Sequence, residues 1–332
     1  MPGKGRTPRR LARVADLRGG IDLGGTKIQT AIVDGRGEVS GQARRPTPTE
    51  GGPEDVAAAM AEALREAAKE AGVESGELAG VGVGSPGDAD EKTGVVSSAR
   101  NLPGWEGSFP LAEKLKEALG TEVKVGNDVQ VATEAEFHLG AGQEFQSLIG
   151  VFWGTGVGGG LVLDGRPWLG RGAAGEIGHV VVKRGGAKCP CGRRGCMEAY
   201  AGRSAMEAEA RRQHEEGHKT DLFHLMEKHG KPRLTSGIWE RALDHGDHLA
   251  EKLIERAVEA LGTGVASSVN LLDPEAVIIG GGLGVRFGER LMDPLMEEMS
   301  KHLFLDERPP AVRVASLGDL GGAIGASLLV SR

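Results

Sequence analysis

All three cysteines of the chain lie in one short run. Cys189, Cys191 and Cys196 follow closely after the segment Gly175–His179. A thiolate is a natural zinc ligand, and three thiolates with one nearby imidazole complete a tetrahedral structural site. An odd number of cysteines cannot form a closed disulfide framework, and a Cys-x-Cys bridge would be strained. The run therefore predicts a zinc site, with buried free thiols or a redox pair as the alternatives.

Two glycine-rich segments are suited to approach phosphate groups, and they resemble each other. Ile21–Lys27 and Phe152–Gly160 each predict a strand, a glycine turn and a second strand that ends at an Asp-Gly turn. Glycine removes side chains that would keep backbone N–H groups from phosphate oxygens, and Thr26 adds a hydroxyl donor. Asp22, at the end of the first strand, is suited to hold Mg²⁺ through water. Neither segment has the Walker spacing, which excludes a P-loop. The repeat predicts a duplicated lobe with a phosphate clamp from two sides.

The segment Gly126–Asp128 follows a predicted strand and has two interpretations. Asn127 is a favourable N-cap for the following helix, with Asp128 well placed in the first turn. In the functional interpretation, the Asp128 carboxylate takes a proton from a substrate hydroxyl. The two interpretations are compatible.

Further hydrogen-bonding side chains accompany these motifs. Glu176, His179 and Glu198 lie beside the cysteine run, and Asn101–Trp105 adds an amide and an aromatic ring. Many directional hydrogen-bonding groups with few net positive charges suit a neutral, polyhydroxylated substrate.

Composition and charge narrow the class of protein. The 332 residues carry a formal net charge of −7 with a pI near 5.8, which argues against a nucleic-acid-binding surface over the whole molecule. No apolar run reaches the length of a membrane span and no signal peptide follows Met1, so no membrane partner is expected. Reduced cysteines agree with a cytoplasmic protein. The basic residues 1–18 are expected to form a disordered, solvated tail.

The rest of the sequence alternates between helix and strand signals, which predicts an α/β fold. The predicted helices cover residues 53–71, 127–139, 111–119, 248–272 and 321–330, and the predicted strands cover 78–83, 122–125, 276–279 and 312–315. In the polar segment 203–245, His214 and His218 would share a helix face. We expect a solvated helical surface there, since nothing nearby completes a metal coordination sphere.

In their types and order, these motifs resemble the ROK family (repressors, open reading frames and sugar kinases). The matching segments are Asp22–Thr26, Asn101–Trp105, Gly126–Asp128, Gly154–Gly158, Gly175–His179, Cys189–Cys196 with Glu198, and Gly280–Gly282. The resemblance covers about residues 19–330 and is greatest to the branch of bacterial ATP-dependent glucokinases. It implies a duplicated actin-like, ribonuclease-H-like two-lobe fold with a structural zinc loop, and with ATP and sugar in the interlobe cleft.

The resemblance also implies how the chain divides. A small N-terminal α/β lobe over residues 19–130 would be completed by a C-terminal helix over 321–332, and a large C-terminal lobe over 131–320 would carry the zinc loop 179–196. The sequence departs from the family in two places. The polar insert after Gly202 is longer than the family needs, and Arg203 stands where a small residue is usual.

Residue roles follow from the same resemblance. Asp128 would be the catalytic base that acts on the sugar 6-hydroxyl. The other sugar hydroxyls would be bound by Asn101, Asn127, Glu176, His179 and Glu198. Zinc would be held by His179, Cys189, Cys191 and Cys196, with the second ring nitrogen of His179 on the sugar. ATP and Mg²⁺ would be held by Asp22, Gly24, Gly25, Thr26, Lys27, Gly154, Thr155, Gly156 and Gly158, with Gly281 and Gly282 near the adenosine.

The expected activity is therefore ATP-dependent phosphorylation of a hexose at its 6-hydroxyl, with glucose converted to glucose 6-phosphate by a homodimer or homotetramer. Alternatives in the same class are kinases for N-acetylmannosamine, N-acetylglucosamine, fructose, mannose or allose. From a different class comes a sugar-responsive transcriptional repressor. The residues before the first predicted strand are too few for a helix-turn-helix module, so no nucleic-acid partner is expected.

Overall fold

The computed structural model describes residues 16–99 and 102–331. The predicted tail up to residue 15 and the predicted sugar ligand Asn101 lie outside these ranges. The described chain forms two compact units. The first comprises the residues up to Ala132 together with those from Leu320 onward, and the second comprises Thr133–Asp319. Within the described ranges, no helix has both the length and the apolar character needed to span a membrane.

Strands and helices alternate along much of the chain. The strands are β1 Arg18–Leu23, β2 Lys27–Val33, β3 Val39–Pro46, β4 Val81–Ser85, β5 Asp88–Asp90, β6 Val95–Ser97, β7 Ser108–Phe109, β8 Val123–Asn127, β9 Leu148–Trp153, β10 Val157–Leu163, β11 Arg166–Pro167, β12 Ala276–Gly280 and β13 Ala311–Val314. The helices are α1 Pro53–Glu70, α2 Leu111–Leu119, α3 Asp128–Leu139, α4 Glu198–Ala201, α5 Arg203–Glu215, α6 Leu222–Lys228, α7 Ser236–Asp244, α8 His248–Leu272, α9 Gly281–Ser300 and α10 Gly321–Leu328.

The first unit contains a five-stranded sheet in the order β3-β2-β1-β4-β8. β1 pairs antiparallel with β2 and parallel with β4, and β4 pairs parallel with β8. Helix α1 covers one face, where the Thr30 hydroxyl donates to the Ala63 carbonyl at 3.0 Å. Helix α10 lies against the other face so closely that a Cβ on Gly20 would meet the Ala323 carbonyl oxygen at 1.8 Å. Glycine on this face therefore lets α10 pack directly on the strands. A small sheet of β5, β6 and β7 completes the unit, and the sequence signals did not predict it.

The second unit repeats this topology. Its five strands run in the order β11-β10-β9-β12-β13. β9 pairs antiparallel with β10 and parallel with β12, and β12 pairs parallel with β13. The predicted duplication is confirmed strand by strand, because each sheet begins with a glycine-turn hairpin followed by two parallel strands. The core of this unit includes Trp153 and Phe287, whose ring centroids are 6.1 Å apart.

Most predicted elements lie where expected, with small shifts at strand ends. The strand predicted to start at Leu78 begins instead at Val81, because residues 75–77 form a short 3₁₀ turn whose Ser75 carbonyl accepts from the Leu78 N–H.

The expected shared helix face of His214 and His218 is wrong. Helix α5 ends at Glu215 and the chain turns at Gly217, where φ is +94°. His218 lies beyond this turn, and its N–H donates to the Gln213 carbonyl at 3.0 Å. Both histidines are exposed, as a solvated surface requires.

Candidate active site and metal centre

His179 and the three cysteines converge in the second unit. One ligand atom from each of His179, Cys189, Cys191 and Cys196 lies within 4.8 Å of the others. The Cys191 and Cys196 sulfurs are 3.8 Å apart, and the Cys189 sulfur is 3.8 Å from His179 Nδ1. Sulfurs bound 2.3 Å from a tetrahedral zinc ion would be separated by about 3.8 Å. The four side chains therefore fit a zinc ion in both chemistry and spacing.

Tight backbone turns hold the cysteines in place. The Arg193 carbonyl accepts from the Cys189 N–H at 2.8 Å, and the Gly192 N–H donates to the Cys189 carbonyl at 2.9 Å. Gly195 has a φ of +83°, and a Cβ there would lie 1.8 Å from the Lys183 carbonyl oxygen. Only glycine accepts both this conformation and this approach. The loop geometry therefore depends on Gly195 as well as on the ligands.

All three thiols have shifted pKa values, and burial raises that of Cys196. Burial raises the pKa of the Cys189 thiol to about 12, whereas the Arg193 backbone N–H lowers the pKa of Cys191 to about 7. A buried thiol resists losing its proton unless a positive charge replaces it. Coordination to a cation would supply that charge.

Glu176, His179 and Glu198 link the cysteine cluster to the second glycine hairpin. His179 directs Nδ1 to Cys189 and has Nε2 3.8 Å from the Glu176 carboxylate. Glu198 Oε1 lies 3.8 Å from the Cys189 sulfur, while its Oε2 accepts from the Val157 N–H at 2.9 Å. A Cβ on Gly156 would lie 2.2 Å from that same Oε2. These three predicted sugar ligands therefore lie together beside a predicted phosphate loop.

The second hairpin meets the start of helix α9. Gly154 N–H donates to the Gly156 carbonyl at 2.9 Å, which closes the turn around Thr155. Gly281, with φ of +79°, passes so near β9 that a Cβ would lie 2.5 Å from the Trp153 carbonyl oxygen. The Gly282 nitrogen is 3.9 Å from the Cβ position of Gly154. The residues predicted to bind phosphate and those predicted to lie near the adenosine are therefore adjacent in the second unit.

Not every predicted phosphate residue of this hairpin lies in the turn. Gly158 belongs to β10, where it pairs with Phe152 of β9. One contact at the turn was not predicted at all. The Arg203 guanidinium donates from Nη2 to the Thr155 hydroxyl at 2.8 Å. The only sequence signal for this contact was the presence of arginine where the family usually has a small residue.

The first hairpin has the same design in the first unit. Gly24 N–H donates to the Lys27 carbonyl at 2.9 Å, and Gly25 and Thr26 are exposed at the tip. Asp22 points toward the start of α10, since a Cβ on Gly322 would lie 2.8 Å from Asp22 Oδ2. A carboxylate is favourable at a helix N-terminus. Its oxygens are also the ligand type that Mg²⁺ prefers.

Asn127 and Asp128 end β8 and begin α3. Asn127 Oδ1 accepts from the N–H groups of Val129 and Gln130, both at 3.1 Å, so Asn127 caps the helix. Asp128 Oδ1 accepts from the Val129 N–H at 2.9 Å, and the residue is half buried. Gly84 of β4 lies beneath, where a Cβ would be 3.4 Å from Asp128 Cα. The capping interpretation is therefore satisfied by Asn127, and the role of Asp128 as base stays a prediction.

Comparison with known proteins shows the family of this chain. The model of the ROK family matches residues 18–332. The glucokinase of Thermotoga maritima is 35% identical over 287 residues, covering 86% of this chain and 87% of that protein. A ROK family glucokinase from Streptomyces griseus, solved in complex with glucose and AMPPNP, is 32% identical with a TM-score of 0.81, covering 94% of this chain and 98% of that one. An N-acetyl-D-glucosamine kinase of Erwinia tasmaniensis is 31% identical, covering 93% of this chain and 98% of that protein.

The chain belongs to the ROK family. The predicted two-lobe α/β sugar-kinase fold is confirmed by the match to the solved ROK structure. Within that family, the curated relatives named above are kinases of glucose and of an N-acetylhexosamine.

Proposed function

We propose that the protein is an ATP-dependent hexokinase that transfers the terminal phosphoryl group of ATP to the 6-hydroxyl of glucose. The observation that carries this proposal is the position of Glu176, His179 and Glu198. They place several hydroxyl-binding groups between a rigid cysteine cluster and a glycine hairpin suited to phosphate. The glucokinase relatives support the same activity.

Each residue has a defined task in this reaction. Asp128 takes the proton from the sugar 6-oxygen as that oxygen attacks the terminal phosphorus, and ADP leaves. Glu176, His179, Glu198 and Asn127 hold the remaining hydroxyls and so fix the direction of attack. Backbone N–H groups at each hairpin are suited to stabilise charge on phosphoryl oxygens.

The two metal ions have different tasks. Zinc at His179 and the three cysteines would fix the orientation of the imidazole, leaving Nε2 free to meet a sugar hydroxyl. Asp22 would hold Mg²⁺ through water, and the ion would neutralise charge on the ATP phosphates. The homodimer or homotetramer stays a prediction.

N-acetylhexosamines form the second substrate class, because a kinase for N-acetylglucosamine is among the relatives. The two classes differ at the 2-position, where glucose carries a hydroxyl that donates and accepts hydrogen bonds. The Glu176 and Glu198 carboxylates accept hydrogen bonds from the hydroxyls that both classes carry. The preference for glucose is supported instead by the glucokinase relatives.

A coupled assay of ADP formation tests the proposal. The purified protein is given ATP and Mg²⁺ with glucose, mannose, fructose, N-acetylglucosamine or N-acetylmannosamine in turn. We expect the highest kcat/KM with glucose, and the product should be the 6-phosphate by ³¹P NMR. A higher kcat/KM with an N-acetylhexosamine would reassign the substrate, and no turnover with any sugar would refute the kinase function.

A further inference from the structure

Arg203 lies at the second hairpin and is held there by the backbone. It is the first residue of α5, its N–H donates to the Gly154 carbonyl at 3.1 Å, and the next N–H, of Ser204, donates to Thr155 at 3.0 Å. Its guanidinium then reaches back to the Thr155 hydroxyl at 2.8 Å. The side chain therefore has a fixed position beside the turn, with further N–H donors available.

A second arginine is brought close to the first. Glu207, one turn along α5, accepts from the Leu234 N–H at 2.9 Å and so ties the segment before α7 to this helix. Arg233 precedes Leu234 directly. Burial lowers the pKa of Arg203 and the positive charge of Arg233 lowers it further, while the negative charge of Glu207 opposes this shift. The two guanidinium groups therefore lie in the same region, and their positive charges repel each other.

Within the described ranges, neither guanidinium has a carboxylate within 4.0 Å. Other arginines of this region form ion pairs with carboxylates. Arg212 pairs with Glu209, and Arg211 pairs with Glu207 at 2.6 Å. Glu207, the carboxylate on the same helix, is therefore committed to Arg211 and to the Leu234 N–H. Like charges held together and partly desolvated raise the free energy of the unliganded protein, and an anion bound between them would lower it.

The surrounding donors indicate the chemistry of that anion. The Thr155 hydroxyl and the Gly282 N–H at the start of α9 adjoin the same turn. Guanidinium forks match phosphate oxygens in a bidentate arrangement. We propose that Arg203 and Arg233 form an anion subsite at the second hairpin that binds the phosphate chain of the donor nucleotide. This subsite rests on the proposed function and adds two donor-binding residues to it.

The test measures binding without sugar, by calorimetry. ATP, inorganic tripolyphosphate and adenosine are titrated into the wild-type protein and into Arg203→Gln and Arg233→Gln. Glutamine removes the charge, and at position 203 it keeps a donor for Thr155. We expect the Kd of ATP and of tripolyphosphate to rise about 10- to 100-fold in Arg203→Gln and about 3- to 10-fold in Arg233→Gln. The affinity for adenosine should not change.

Arg212→Gln is the matched control, because it removes the same charge from the same helix at a carboxylate-paired position. It should bind ATP as the wild type does. Wild-type ATP affinity in Arg203→Gln, in a protein with an unchanged Tm, would overturn the subsite. If that variant does not fold, unchanged ATP affinity in Arg233→Gln overturns it instead. Weakened tripolyphosphate binding with intact ATP binding would overturn the assignment to the nucleotide.

The two proposals fail separately. If the wild type phosphorylates no sugar but both variants lose affinity for ATP, the kinase function falls and the arginine subsite stands. If the wild type is an active kinase and both variants bind ATP normally, only the subsite falls.

Discussion

His179 has two ring nitrogens in two different environments. Nδ1 faces a cysteine sulfur and Nε2 faces the Glu176 carboxylate, each at 3.8 Å. A metal on Nδ1 would fix the ring plane and would keep Nε2 as the protonated nitrogen, a donor to whatever lies beside Glu176. The residue therefore joins the structural centre to the proposed sugar site.

Asp128 provides the sharpest prediction at the residue scale. Asp128→Asn keeps the size of the side chain and an acceptor for the Val129 N–H, but it cannot take the sugar proton. We expect kcat to fall about 10²- to 10⁴-fold, with the Kd of glucose changed only a few-fold. Steady-state kinetics and calorimetric glucose titration measure the two effects.

Glu113→Gln is the control for this substitution, because Glu113 is also an acid in the first turn of a helix. It should retain wild-type kcat and lose at most a few tenths of a kcal/mol in stability. Near wild-type turnover in Asp128→Asn would show that Asp128 stabilises the start of the helix and is not the catalytic base.

The start of α9 permits a matched comparison at the scale of an element. Gly281 has a positive φ and no room for a Cβ, whereas a Cβ on Gly282 would meet nothing within 4 Å. Gly281→Ala should therefore lower the free energy of unfolding by about 1–3 kcal/mol. Gly282→Ala should leave stability nearly unchanged but weaken ATP binding, if phosphate or adenosine approaches this backbone. Denaturant unfolding and ATP titration distinguish the two, and equal stability losses would contradict this account.

An ion pair between Glu209 of α5 and Arg256 of α8 connects the two helices, and its strength depends on pH. Glu209 accepts from Arg212 and Gln213, and Arg256 of α8 lies 3.6 Å away. The bond from Arg212 is the main cause that lowers the Glu209 pKa from its ordinary value of about 4.5 to about 2. Because the folded pKa is depressed, the stabilisation is present above about pH 4.5 and is lost as the pH falls toward 2.

Glu209→Gln should therefore cost about 1–2 kcal/mol near neutral pH and much less near pH 2. Glu216→Gln is the control, since its carboxylate is half exposed and, among the described residues, forms an ion pair only with Arg212. Urea unfolding as a function of pH measures both. A difference between wild type and Glu209→Gln that persists unchanged to pH 2 would contradict the assignment.

Sequence patterns predicted best what is encoded locally. Helices α2 and α8 have the predicted bounds, because apolar spacing and terminal signals such as Gly120 and Asp247 determine them. The repeated hairpins and the cysteine run were visible because their spacing is itself the signal. The sheet of β5–β7 was missed, since strands of two or three residues carry too little alternation. The contact of Arg203 with Thr155 depends on residues distant in sequence, which no local pattern reports.

Removal of the predicted zinc should affect the molecule as a whole. We expect about one zinc per chain by metal analysis, and chelation should lower the Tm and abolish glucose binding together, because ligand-binding energy is also folding energy. Hydrogen exchange should rise first around residues 179–200 of the second unit and later in β1 and β4 of the first. Cys191→Ser should reproduce the loss without chelator. Fully active, metal-free protein would refute the structural zinc.

The first unit is assembled from the two ends of the described chain. Helix α10 packs directly on Gly20 and Gly82, because they have no side chains. A Cβ on Gly82 would lie only 1.7 Å from the Ala326 carbonyl oxygen. During synthesis, the strands of this sheet emerge before the second unit, whereas the helix that covers their glycine face emerges after it. The second unit, by contrast, is one continuous stretch of chain. We therefore expect the second unit to fold before the first sheet is completed by α10.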